Sequence, residues 1–213
     1  WTGPDSCANA VLAMYALIEH HQWLDHLPVY SAFVDLTKAF PTVQRDILFA
    51  KLGRYGVPSR MLRAIMALYE NTRGLVRTQE GYGDDFPIDI GTLEGSVLSP
   101  LLFIAFIADF PEWCATRVKL EGGEPGIGGM SLRCVFFADD LVLLALNPSD
   151  LNSMLEVWSE YCSEHHQQTS IPKTKIMIHH TSDCRAVRLD SGKCFVRKKG
   201  LRRAGEDAYA EFI

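Results

Sequence analysis

Residues 134–146 read CVFFADDLVLLAL, two apolar runs with Ala138-Asp139-Asp140 between them. Such short runs, bounded by polar residues, predict two buried strands joined by a tight turn that carries both carboxylates. Two adjacent Asp beside a hydrophobic hairpin lose hydration and repel one another, so they call for a cation or hydrogen-bond donors nearby. A polar turn facing water is the plain alternative, and an isolated Asp pair does not decide between them. Asp35 adds weight to the first reading, because it ends another strand-like run, PVYSAFVDL at 28–36.

Outward from the hairpin the periodicity continues. Gly3-Pro4-Asp5 opens a helix with an apolar stripe at Val11, Leu12, Tyr15 and Ile18. After the Asp35 strand, Gln44–Leu52 predicts a short helix, and Pro58 starts another with Met61, Leu62, Ile65, Met66, Leu68 and Tyr69 on its apolar face. Gly74–Thr78 and Phe86–Ile90 read as a strand pair, Gly91–Ser96 as a small-residue loop, and Val97 to about Trp113 as one apolar helix. The glycine-rich stretch Glu121–Met130 predicts a mobile loop. Asn147-Pro148-Ser149-Asp150 caps a helix carrying Leu151, Leu155, Trp158 and Cys162, and Lys173–His179 is a last strand. Residues 185–213 are basic and weakly periodic, a tail with strands at most. The order predicts an α+β fold: an antiparallel sheet of split β-α-β (ferredoxin/RRM-like) kind, with helices packed on one face. That layout sets the end of the Asp35 strand beside the tip of the Asp139 hairpin.

Composition fits an ordinary globular chain of 213 residues, 47% hydrophobic and 22% charged. A net charge of −5 weighs against a nucleic-acid partner, but the charge is unevenly placed. Arg45, Lys51, Arg54, Arg60, Arg63, Arg73 and Arg77 form one basic region, Lys173–Arg203 another, and acidic residues crowd between Glu80 and Asp150. This suits an acidic metal centre flanked by surfaces that hold a polyanion; an unevenly charged solvated surface is the alternative. Six cysteines without a C-x-x-C pair imply reduced thiols in an intracellular protein. The longest apolar run, Leu101–Ala108, is too short to span a bilayer.

Three Asp on two neighbouring strands match the needs of two magnesium ions, which take carboxylate, phosphate and water oxygens and are seldom caged by protein alone. Two ions roughly 3.5–4 Å apart stabilise both the attacking and the leaving oxygen of an in-line phosphoryl displacement.

FVDLTKAF at 33–40, EGSVLSPLLF at 94–103, FADD at 137–140 and PKTK at 172–175 resemble the successive palm motifs of a reverse transcriptase, in order and at fitting separations. The connecting text RDILFAKLGRYGVPSRMLRAIMALYENT is similar to that of non-LTR (LINE-type) retrotransposon polymerases. The resemblance implies a polymerase palm acting as an RNA-directed DNA polymerase on an RNA template, a DNA primer and deoxynucleoside triphosphates, with two Mg2+ (or Mn2+). It divides the chain into an N-terminal helix, 1–27, a palm, 28–181, and a basic tail, 182–213, with no clear thumb. Asp35, Asp139 and Asp140 would be catalytic and hold the metals, Asp140 in a tuning role if not a ligand, and the Leu36 carbonyl would touch the triphosphate-side ion. Phe40 would be the aromatic gate that excludes a 2′-hydroxyl; a core aromatic behind a strand is its other reading. Glu94 and Gly95 would face the incoming nucleotide, Gly95 because a side chain would obstruct the base pair, and a glycine starting a helix would look the same. Lys173 or Lys175 would clamp the triphosphate, unless both merely edge a strand. An active element of this kind would work in the nucleus.

The sequence also departs from the family. Glu94 stands where Gln is usual, which adds repulsion beside a triphosphate and removes a donor. Pro41 replaces a common Asp, and His165-His166-Gln167-Gln168 replaces a glycine-containing turn. Finger segments would precede Trp1, and neither a thumb nor a nuclease pattern follows, so an excerpt or a decayed element is expected. An inactive palm that binds nucleic acid or a protein partner is the competing reading. Cys162, His165, His180 and Cys184 have zinc-like spacing, with a buried cysteine and solvated histidines the stronger reading. Oligomeric state follows from none of these features.

Overall fold

The computed structural model describes residues 6–79, 81–93, 95–137, 139–179, 185–190, 193–197 and 209–211. The helices are α1 (Ser6–Trp23), α2 (Arg45–Arg54), α3 (Ser59–Tyr69), α4 (Ser99–Ile107), α5 (Phe110–Arg117) and α6 (Pro148–Glu164). The strands are β1 (Val29–Val34), β2 (Arg73–Gly74), β3 (Arg77–Thr78), β4 (Gly81–Tyr82), β5 (Phe86–Pro87), β6 (Gly126–Ile127), β7 (Met130–Ser131), β8 (Cys134–Phe137), β9 (Asp140–Ala145), β10 (Lys175–His179), β11 (Arg185–Asp190), β12 (Lys193–Arg197) and β13 (Tyr209–Glu211). The chain divides into two compact units, Trp1–Thr37 with Phe110–Cys162 and Gln168–Ile213, and Lys38–Asp109 with Ser163–Gln167. Among the described residues, no helix is long and apolar enough to cross a membrane.

The first unit is built on an antiparallel sheet in the order β13-β12-β11-β10-β1-β9-β8. Strand β1, between β10 and β9, sets Phe33 opposite Val142 of β9 and Lys175 of β10. Directly paired residues of antiparallel strands share a face. One face therefore carries Val29, Val135, Val142 and Leu144, which pack against Ala10, Met14, Leu17 and Ile18 of α1. The other carries Phe136, whose ring meets Phe110 of α5 edge-on at 6.1 Å between centroids. Phe110 in turn packs on Trp158 and Tyr161 of α6.

Helices thus cover both faces, which corrects the expectation of helices on one side only. The strands are apolar on both faces, and such a sheet needs a layer on each. The α1 stripe is corrected too. Leu12 and Tyr15 are exposed and the contact is made by Ala10, Met14, Leu17 and Ile18. Apolar residues all round the helix leave periodicity no means of choosing the inner face.

The single helix expected from Val97 to Trp113 is two, interrupted at Ala108-Asp109. Pro111 lacks the N–H that would bond the Ile107 carbonyl, so the helix cannot run through. In the second unit α2 packs on α3 and α4, and Lys51 Nζ donates to Phe106 O at 2.7 Å and Asp109 Oδ1 at 2.6 Å. That buried ammonium closes the C-terminal end of α4. The expected apolar face of α3 is only partly covered: Tyr69 is buried, while Met61, Met66 and Leu68 are exposed.

The glycine-rich stretch is held in place. β6 and β7 pair within it, Asp150 accepts from Glu121 N at 3.0 Å and Gly122 N at 2.8 Å, and His21 Nε2 accepts from Gly126 N at 3.2 Å. Asn147 caps α6 as expected, its Oδ1 accepting from Asp150 N at 2.7 Å. In the basic tail, β11, β12 and β13 continue the sheet beyond β10.

Beneath α1's face, Ser31 Oγ lies 2.9 Å from His179 Nε2, both buried. Burial holds the His179 imidazole below its usual pKa of 6.5. The unfolded chain therefore takes up this proton at a higher pH than the folded one, and acid favours unfolding below about pH 6.5. The urea midpoint is expected to fall between pH 7.5 and 5.5, with a slope from this group of at most about 1.4 kcal/mol per pH unit. His179→Asn should flatten that part of the curve; an equally steep curve in the variant would assign the slope elsewhere.

Candidate functional site

β1 ends at Val34, which faces Leu141 of β9. One further step along each strand brings Asp35 opposite Asp140, on the face shared by Phe33 and Val142. Both carboxylates line a cavity of about 330 Å³ together with Lys173, over a floor that includes Phe33, Val142 and Met14. Asp139 sits half-buried in the turn and is not part of that lining.

Lys173 Nζ lies 3.2 Å from Asp35 Oδ2. The approach is outside hydrogen-bond geometry, so Oδ2 is shut off from solvent without a hydrogen bond. The lysine side chain is 71% exposed and the pair is weak as a source of stability. Asp140 titrates above the usual Asp value, chiefly because of burial, then because of the charges of Asp139 and Asp35; Lys173 opposes the rise. Desolvation and like charge together mark a place where a cation is favoured. Among the described residues, no group of three His, Cys, Asp or Glu is arranged to hold a metal ion. The donors fit magnesium in kind and charge, with further oxygens left to water and phosphate.

Leu36 forms a β-bridge with Thr169, flanked by Ser170 N–Asp35 O at 2.8 Å and Thr37 N–Gln168 O at 2.7 Å. Backbone groups alternate in direction along a strand, so the Leu36 carbonyl turns to the other edge, that of β9. Lys175 Nζ donates to Pro172 O at 2.9 Å.

The other predicted residues belong to the second unit. Phe40 is half-buried with its ring 5.0 Å from that of Phe103. Gly95 is exposed at φ +76°, with open space where a Cβ would stand, so the backbone conformation is what asks for glycine there. Glu94 lies outside the described residues. His166, in the turn where glycine is customary, takes φ +53°, a conformation that His tolerates better than most residues.

Cys162 is buried against Thr169 and its thiol is pushed up to about 12, chiefly by burial. His165 is buried and set edge-on to the Phe106 ring at 5.7 Å. His180 and Cys184 lie outside the described residues.

The first basic region is corrected. Lys51 is buried on Phe106 and Asp109, Arg73 pairs with Asp85, and Arg45 is spent on backbone carbonyls. Arg54, Arg60, Arg63 and Arg77 remain exposed. Charge counting does not separate arginines that hold a fold from arginines that face a ligand, and Arg45 was missed as an organising residue for this reason.

Comparison with known proteins adds a second line. Residues 5–198 match the family described as Reverse transcriptase (RNA-dependent DNA polymerase). The chain is 32% identical over 114 residues, 54% of its length, to the "Probable RNA-directed DNA polymerase from transposon BS" of Drosophila melanogaster, and covers 12% of that protein. It is 30% identical over 127 residues, 60% of its length, to the "Retrovirus-related Pol polyprotein from type-1 retrotransposable element R2" of Nasonia vitripennis, again covering 12%. In fold it is similar to apo telomerase from Candida tropicalis, with a TM-score of 0.64 at 13% identity over 92% of this chain and 39% of the telomerase chain.

Proposed function

The chain belongs to the reverse transcriptase (RNA-dependent DNA polymerase) family, of the non-LTR type, and from that premise we propose that its palm, residues 28–181, adds deoxynucleotides to a DNA primer along an RNA template. The observation that supports this reading most is the meeting of Asp35 and Asp140 across neighbouring strands, beside Lys173, in one cavity. The run β10-β1-β9-β8, with helical segments between β1 and β8 and between β9 and β10, supports a split β-α-β core.

In this reading Asp35 and Asp140, with Asp139 in the adjoining turn, would hold two Mg2+, or Mn2+. When bound, the ions would supply Lewis-acid charge to a primer hydroxyl and a triphosphate. The protein's share is placement. Asp35 stands at a strand end whose backbone is fixed by Ser170, and the Leu36 carbonyl faces the same side as the hairpin tip. Phe40, braced by Phe103, is the gate against a 2′-hydroxyl, and Gly95 leaves room for a base pair to approach. Lys173, 3.2 Å from Asp35, and Lys175 would receive the triphosphate. A protein of this activity would work inside the cell, in the nucleus.

The test is extension of an oligo(dT) primer on poly(rA) with dTTP and Mg2+, run beside the same mixture with excess EDTA. Template-dependent products lost on chelation are expected. Retention of the RNA–DNA duplex without any extension would favour a palm that binds nucleic acid and does not catalyse.

A further inference from the structure

Arg45, the first residue of α2, spends its whole guanidinium on backbone. Its Nε donates to Gly91 O at 2.9 Å, Nη1 to Ile88 O at 2.7 Å and Tyr69 O at 3.2 Å, and Nη2 to Ile90 O at 3.2 Å. The guanidinium carbon also lies 5.0 Å from the centre of the Tyr69 ring. Three carbonyls of one short stretch, 88 to 91, converge on a single planar fork, a task that a lysine ammonium cannot reproduce.

The same stretch is laced to the turn that carries Phe40. Gly91 N donates to Val43 O at 2.8 Å and Thr92 N to Phe40 O at 2.9 Å. Gly91 has φ +82°, and a Cβ there would stand 2.6 Å from Pro41 O, so the two backbones touch. Beyond Thr92, Ser99 Oγ donates to Leu93 O at 2.5 Å. The stretch 91–93 therefore starts from a point fixed by Arg45 and is tied at Leu93 to the first residue of α4.

We propose that Arg45 is a positioning residue that fixes residues 88–92 against the Phe40 turn, and so sets the shape of the nucleotide subsite. This rests on the polymerase reading above. Arg45 touches no substrate; it acts through the carbonyls of residues 88 to 91.

Arg45→Lys tests it by two readouts. Amide exchange at 88–92 is expected to quicken at least tenfold, with α2 and α4 protected as before. In primer extension, KM for dTTP is expected to rise about tenfold while kcat changes less than threefold. Methylguanidinium added to Arg45→Ala should recover part of the KM loss. Unchanged exchange at 88–92, or a rise spread evenly over Lys38–Asp109, overturns the proposal, as does a kcat loss with KM intact. If the wild-type chain extends no primer, the polymerase reading fails, and the exchange pattern alone decides whether Arg45 holds this loop.

Discussion

Asp35→Asn is expected to lower primer extension by at least about 10³-fold while leaving the fold intact. The substitution is nearly isosteric, and the backbone bond from Ser170 N to Asp35 O at 2.8 Å is untouched. What goes is the negative charge of a carboxylate whose Oδ2 is shut off from solvent without a hydrogen bond. Preorganised electrostatic groups aimed at developing charge each contribute on the order of 3–4 kcal/mol to a transition state, and a carboxylate in the role proposed for Asp35 is expected to reach or exceed that.

A second readout separates loss of charge from a general fault. Asp140 titrates high partly because Asp35 is charged beside it, so its carboxyl is expected to titrate lower in Asp35→Asn, closer to the ordinary Asp value. The sign for stability follows. Asp140's folded pKa is raised, so its ionised form is disfavoured in the folded chain and costs stability above the usual Asp range. Relieving that repulsion should leave the variant at least as resistant to urea at pH 7 as the wild type. Extension within tenfold of wild type, with Asp140 titrating as before, would remove Asp35 from the site.

Lys51→Met is expected to loosen the second unit. Lys51 is 5% exposed, and its ammonium bridges the Phe106 carbonyl and Asp109. Burial draws its pKa down, and Asp109 opposes the fall. Removing the ammonium takes away a buried donor from the Phe106 carbonyl and from Asp109, at a cost of about 3 kcal/mol. Amide exchange in α2 and α4 is expected to quicken by about 10²-fold, since 1.4 kcal/mol is a factor of ten. Pairing Lys51→Met with Asp109→Leu should restore much of the protection, because an apolar pair of similar volume replaces the ion pair at little cost. A single variant that exchanges like the wild type would show that α4 ends without help from Lys51.

Local chemistry was legible in the chain where one residue decides the outcome. The hairpin around Asp139 and Asp140, the strand leading to Asp35 and the Asn147 cap all formed as their residue types dictate, because turns, caps and two-residue alternation act over a few positions. Pro111 carried a signal of the same kind, and the break it causes was available to sequence reading. Faces and partners were not legible. α1 is apolar all round, so which residues meet the sheet depended on Val29, Val135 and Leu144 being assembled from strands far apart in the chain.

The same division runs through the site. Sequence alone fixed the number of carboxylates, their place at strand ends and the order of the motifs, since these are properties of short stretches. Which carboxylate stands across from Asp35 was decided by register: Val34 faces Leu141, and a shift of one residue would put the neighbouring Asp there and turn every side chain of β9 to the opposite face. Register is set by what both faces bury, and that sum exists only once the sheet, α1 and the Phe110–Trp158–Tyr161 layer are in place.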